Sequence, residues 1–157
     1  MPLPNKLRAL ITTRWFSWPS KPWLTCVSVL SPEECVAFLR SSQVGRIAVS
    51  IGALPVISPV NYLAVDGAVC FRAPLDGTLL RASVGSVVAF EADGYDEPGL
   101  FGWSVLVRGL ADEVTGPCEL EVVRSRFVDA WPLVGPTDRY VVVPASMLTG
   151  RRYTRVA

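Results

Sequence analysis

Histidine is absent from this 157-residue chain. Its absence removes imidazole as general acid or base, the Ser-His-Asp and Cys-His arrangements for nucleophilic attack, and the commonest metal ligand. Cysteine is sparse. Cys26, Cys35, Cys70 and Cys118 lie far apart with no C-x-x-C pair, which argues against a zinc site and a disulfide framework. Cys35 and Cys70 stand among apolar neighbours and read as small core residues. The fifteen basic residues, thirteen of them arginine, balance fourteen acidic ones to a net charge of +1. No block of like charge forms, so the electrostatic footprint expected of a nucleic-acid partner is missing. The local run Arg151-Arg152 with Arg155 reads as the rim of a strand. No stretch approaches the ~18 consecutive apolar residues of a membrane-spanning helix.

What the chain has in excess is apolar surface. Hydrophobic residues make up 50% of it, more than one domain of this length would be expected to need for its core alone. With a spanning helix excluded, a large buried interface is the remaining use for that surface, so a dimer is expected. The first twenty-five residues hold Trp15, Phe16, Trp18 and Trp23, but Arg14, Pro19, Lys21 and Pro22 interrupt them. That pattern lacks the unbroken apolar run of a signal peptide and the continuity of an amphipathic surface helix. Residues 1–28 are therefore expected to form a tryptophan- and proline-rich extension, and 29–157 one cytoplasmic domain.

Within the domain, Ser31-Pro32-Glu33-Glu34 is a helix start with a capping box, running to about Ser42. Val44–Ile51 and Leu54–Val65 read as strands about the short reversal Gly52-Ala53, with Pro55 and Pro59 pointing to an edge or a bulge. Asp66-Gly67 is a hairpin signal, and Ala68–Ala73 follows as a strand. Leu75–Val84 reads as a short helix, Ser86–Ala92 as a strand and Asp93–Gly99 as a loop. Phe101–Val114 is one long strand with a bend at Gly109, Pro117–Trp131 a helix, Tyr140–Pro144 a strand, and Arg151–Val156 a possible last one. Short turns make neighbouring strands antiparallel. About six apolar strands should close into a small barrel, since an open sheet would leave hydrophobic edges.

Polar chemistry gathers between Ser58 and Ala82, SPVNYLAVDGAVCFRAPLDGTLLRA. Arg72 offers a forked guanidinium suited to phosphate oxygens, or it is a solvated arginine at a strand end. Thr78 can present its hydroxyl and backbone N–H at a helix start, or it and Asp76 simply cap that helix. Asn61 can hydrogen-bond the edge of a planar ring, or it satisfies a bulge beside Pro59. Trp103 can pack on such a ring, or it is core or interface.

Taken together, Gly45-Arg46-Ile47-Ala48-Val49-Ser50, Pro59-Val60-Asn61-Tyr62, Asp66-Gly67 with Phe71-Arg72, Gly77-Thr78, Val88-Ala89-Phe90-Glu91 and Gly102-Trp103-Ser104-Val105 resemble the pyridoxamine 5′-phosphate oxidase-like family. The similar part runs from about Leu30 to Val114, with a looser echo through Arg152. The resemblance implies a mainly β fold with peripheral helices, a six-stranded antiparallel split β-barrel of the FMN-binding type. It further implies a homodimer with cofactor sites in the interface. Pro59, Val60, Asn61 and Tyr62 would line the isoalloxazine ring, Arg72 and Thr78 would hold the phosphate, and Trp103 and Ser104 would close the site, often from the other subunit. The cofactor would be FMN, or alternatively the deazaflavin coenzyme F-420 of actinobacterial relatives, an option kept open by the arginine-rich composition. The activity implied is hydride transfer between that flavin and a small molecule, with no catalytic side chain and no metal. The alternatives are a non-catalytic flavin-binding or storage protein and a cofactor-free dimeric interaction module. Two departures stand out. Many relatives carry lysine after the Gly-Thr pair where this chain has Leu79, and the histidine of the nitroimidazole-resistance and haem-handling branches is missing.

Overall fold

The computed structural model describes residues 24–65, 67–75, 77–96, 101–128 and 138–156. Trp15, Phe16, Trp18 and Trp23, the turn residue Asp66 and the end of the expected helix at Trp131 lie outside the described residues. Among the described residues nine strands form one curled antiparallel sheet, in the order β1-β9-β6-β5-β2-β3-β4-β8-β7. Their ranges are β1 Leu24–Val29, β2 Val44–Ile51, β3 Leu54–Val65, β4 Ala68–Pro74, β5 Val87–Tyr95, β6 Phe101–Leu110, β7 Asp112–Glu113, β8 Asp138–Pro144 and β9 Met147–Val156. Three helices accompany them, α1 Pro32–Ser41, α2 Thr78–Ser83 and α3 Pro117–Arg126.

The split-barrel architecture is as expected, but the strand count is nine and not six. Three tertiary effects account for the difference. Leu24–Val29, where no strand was expected, pairs along its whole length with β9. The single strand expected from Phe101 to Val114 breaks after Leu110. Ala111 exchanges backbone hydrogen bonds with Ser86 and Gly85, at 2.9 and 2.8 Å, and Asp112-Glu113 then cross to pair with β8. A Cβ on Gly109 would strike the Pro144 carbonyl, so glycine is what lets β6 pass this close to the end of β8. The last strand starts at Met147 because β6 continues its pairing with β9 down to Arg108↔Met147.

Two other boundaries moved. The helix read from Leu75 begins only at Thr78, because Gly77 N–H first closes a turn onto the Pro74 carbonyl at 3.0 Å. The expected loop from Asp93 is strand through Tyr95, paired with Ser104, Trp103 and Gly102. Gly94 is needed there, since a Cβ would stand 2.7 Å from the Trp103 indole nitrogen. The hairpin signals held. Gly52 and Ala53 both take positive φ at the β2–β3 turn, and Gly67 does so between β3 and β4.

The core follows the two-residue period of the strands. Gly45, Ile47 and Val49 of β2, Val88, Phe90 and Ala92 of β5 and Trp103, Val105 and Val107 of β6 are buried. Helix α1 closes one end of this interior with Cys35 and Leu39. Its capping box is formed as expected, with Ser31 and Glu34 bonding each other's backbone N–H. Helix α3 lies over the opposite face of the β4–β8 pair. There Val123 packs with Cys70, Val114 and Tyr140 in a second apolar cluster, and burial pushes the Cys70 thiol up to about 12.

Candidate functional site

Strand β3 changes partners in mid-course. Its residues through Asn61 pair with β2, and from Tyr62 onward they pair with β4. The sheet divides at this switch, and a cleft of about 310 Å3 opens beside it. Pro59, Val60 and Asn61 form one wall, Arg72 and Pro74 of β4 the next, and Gly77, Thr78 and Leu79 of the turn into α2 the third. Five of the eight residues expected at a cofactor site, Pro59, Val60, Asn61, Arg72 and Thr78, therefore meet in one cavity.

Each is positioned by local structure. Pro59 has no N–H to offer the sheet, which suits the point where β3 leaves β2. Asn61 is buried, only 2% exposed, on the outward face where β2 ends at Val44. Arg72 stands across from Tyr140 on β8, and its guanidinium lies 5.7 Å from the centre of the Phe127 ring at the end of α3. That cation–π contact holds the long side chain to one side of the cleft. Thr78 is the first residue of α2 and exposed. The cap position is Gly77, with no side-chain cap, so the Thr78 hydroxyl is not spent as a cap. Arg72 is the one charged side chain among the described lining residues, because Leu79 presents a hydrocarbon at the third wall.

The other three residues point elsewhere. Tyr62 turns into the barrel, packs edge-on against Phe90 at 4.7 Å and donates its hydroxyl to the Leu39 carbonyl at 2.7 Å. Burial pushes its phenol up to about 12, so it stays protonated. Trp103 is buried and stacks on Phe38 of α1 at 4.9 Å, on the inner face. Ser104, its outward neighbour, lines a different cleft on the β5–β6–β9 face and lies 3.3 Å from the Tyr153 hydroxyl.

A broader cleft of about 610 Å3 adjoins the first at Pro59, bounded by Arg46, Asp93, Gly94 and Tyr95. Its cation is already held. Arg46 bonds Asp93 at 2.6 Å and Glu91 at 3.3 Å. Burial, helped by the charge of Asp93, raises the Glu91 carboxyl above the ordinary range against the opposing pull of Arg46. Sequence reading missed Arg46, Glu91 and Asp93 as a group. The available signal was their alternation on outward positions of β2 and β5, but only the pairing register sets them side by side. Among the described residues no cluster of metal-ligating side chains occurs, and no helix is long and apolar enough to cross a membrane.

Chemically, the first cleft joins an apolar floor, a buried amide, a hydroxyl and one forked cation. It can hold a planar ligand that ends in a phosphate, and among the described lining residues none is of a type that titrates near neutrality to move a proton.

Comparison with known proteins gives the family and the fold. The family described as pyridoxamine 5′-phosphate oxidase matches residues 31–152. The uncharacterized protein Rv0080 of Mycobacterium tuberculosis is 38% identical over 128 residues, which is 78% of this chain and 83% of that protein. The FAD binding protein of Mycobacterium smegmatis superposes with a TM-score of 0.70 at 33% identity, covering 82% of this chain and 99% of that one. A FAD-binding protein from Mesorhizobium loti shares the fold at a TM-score of 0.68 and 20% identity, over 80% of this chain and 97% of its own.

Proposed function

The chain belongs to the pyridoxamine 5′-phosphate oxidase family, and from that premise we propose that it is a flavoprotein that carries out oxidoreduction on a small molecule. The observation that carries this reading is the convergence of Asn61, Arg72 and Thr78 on one cleft at the split of the sheet. Asn61 would hydrogen-bond the ring edge, Pro59 and Val60 would supply its apolar bed, and Arg72 with the Thr78 hydroxyl would hold the phosphate. A bound flavin would supply hydride chemistry. The residues around it bind, orient and keep water from the ring, and no side chain of the cleft has to move a proton.

With one cation the cleft serves one phosphate, so FMN is the flavin proposed, and the deazaflavin coenzyme F-420 is the alternative. A dimer is part of the proposal. Ile57, Val87, Leu110 and Met147 are exposed on the outward side of the sheet, an apolar face that a second copy would cover. A second reading rests on the same cleft, a protein that holds a flavin without turnover.

Absorbance spectroscopy separates these readings. Purified protein mixed with FMN is expected to retain a flavin spectrum after desalting and to bleach with NAD(P)H or another reductant. A flavin that binds but is neither reduced nor reoxidised by any acceptor would leave the holding role, and a chain that retains no flavin or deazaflavin would end both readings. Leu79→Lys restores a cation at the third wall, so FMN affinity should rise by about tenfold, the worth of one charge-assisted hydrogen bond. An unchanged titration would mean that residue 79 does not face the phosphate.

A further inference from the structure

The cleft that takes Ser104 has a chemistry of its own. It measures about 510 Å3 on the outward face of β5, β6 and β9, and its walls carry Glu91, Ser104, Arg108, Thr149, Arg151 and Tyr153. The pairing register makes it. Ser104 lies opposite Arg151, and Arg108 stands four residues along β6 on the same face. Its two arginines differ from three others of the sheet. Arg46, Arg139 and Arg152 each hold a carboxylate, whereas the guanidinium groups of Arg108 and Arg151 make no hydrogen bond or ion pair among the described residues. The Nε of Arg108 is also buried with no hydrogen-bond partner there. Arg151 is exposed and Arg108 half-buried, so both guanidinium groups are open to an anion that enters the cleft.

The donor set indicates which anion. Two forked guanidinium groups and the hydroxyls of Ser104, Thr149 and Tyr153 offer more donors than a carboxylate's two oxygens can use, and they suit a tetrahedral oxyanion. Glu91 is the opposing charge. It is engaged by Arg46 at 3.3 Å, and its burial already disfavours ionisation.

We propose that this cleft is an anion site for a phosphate ester, held by Arg108 and Arg151 with hydroxyl donation from Ser104 and Tyr153. The site stands whether or not the first cleft holds a flavin. The phosphate could come from a free nucleotide or from the distal half of a dinucleotide flavin seated in a second copy, and titration calorimetry distinguishes them. The full chain and its Arg108→Gln/Arg151→Gln variant are titrated separately with ADP, FMN and FAD, with Arg72→Ala as control. The double variant should lose at least ~10-fold in ADP affinity, while Arg72→Ala should leave ADP binding as it was. Weakened FAD with unchanged FMN would assign the phosphate to a dinucleotide flavin, and unchanged FAD and FMN would assign it to a free nucleotide. Ser104→Ala, a mild change at an outward position, should weaken ADP in the same direction and covers the case in which the double variant does not fold. Failure of the wild type to bind ADP or FAD, or equal affinities for both in the wild type and the variants, overturns the proposal. So does a double variant that dissociates dimers while binding ADP normally, since the arginines would then serve a carboxylate of the second copy. Failure of the flavin reading looks different, with ADP binding intact and FMN not bound.

Discussion

Arg72→Ala is expected to weaken FMN binding by about 10- to 100-fold, the worth of a hydrogen-bonded charge pair to a phosphate. Among the described lining residues of the first cleft it is the one charged side chain, and position 79 is leucine. Flavin fluorescence titration measures the effect. Arg72→Lys should fall between alanine and wild type, because an ammonium restores the charge without the fork. Because the guanidinium also lies over Phe127, alanine should cost about 0.5–1 kcal/mol of stability as well. Denaturation of the flavin-free protein separates that loss from the binding loss. An FMN affinity that survives Arg72→Ala unchanged would place the phosphate elsewhere and withdraw the cleft assignment.

The largest effect on stability is expected from Phe90→Ala, about 3–5 kcal/mol as for other buried phenylalanines. Phe90 is fully buried at the centre of the barrel, edge-on to Tyr62. It also lies directly against Gly45, where a Cβ would overlap its ring. The cavity left by alanine is framed by the backbones of β2 and β5, which are tied to each other by the sheet and collapse poorly into empty space. Urea unfolding with unchanged m-value should report the loss. A cost below about 1 kcal/mol would mean that the interior repacks freely, contrary to the close packing of folded cores. Flavin affinity of any folded Phe90→Ala protein should also fall, because Tyr62 adjoins Asn61 in β3 and its hydroxyl anchors α1 at Leu39.

The site was legible to different depths at different residues. Pro59, Asn61, Arg72 and Thr78 could be picked out because proline, an amide beside it, a strand-end arginine and a Gly-Thr step announce themselves within a short stretch. For Trp103 and Ser104, adjacency in sequence does not give a shared surface. Neighbours on a strand face opposite ways, and one entered the core against Phe38 while the other lined the outer cleft. Arg108 and Arg151 carried no local signal at all. They stand forty-three residues apart in sequence, and antiparallel pairing of β6 with β9 brings them to one face. The same holds for β1 and β7. No strand is expected from sequence at Leu24–Val29, and Asp112-Glu113 is expected as the end of β6; each takes its place because an edge, of β9 and of β8, is there to receive it.

By itself, then, the order of residues determined the β-rich class, the capping box of α1, the hairpins at Gly52-Ala53 and Gly67, and the chemistry excluded by the lack of histidine. These depend on periods of two, on φ preferences and on residue inventory, all of which are local. The tertiary structure alone decided where the sheet splits, which side chains of β6 face the core, and that two uncommitted arginines share one cleft. Those depend on strand register, which is selected by burying one whole face at once and is not written in any single segment.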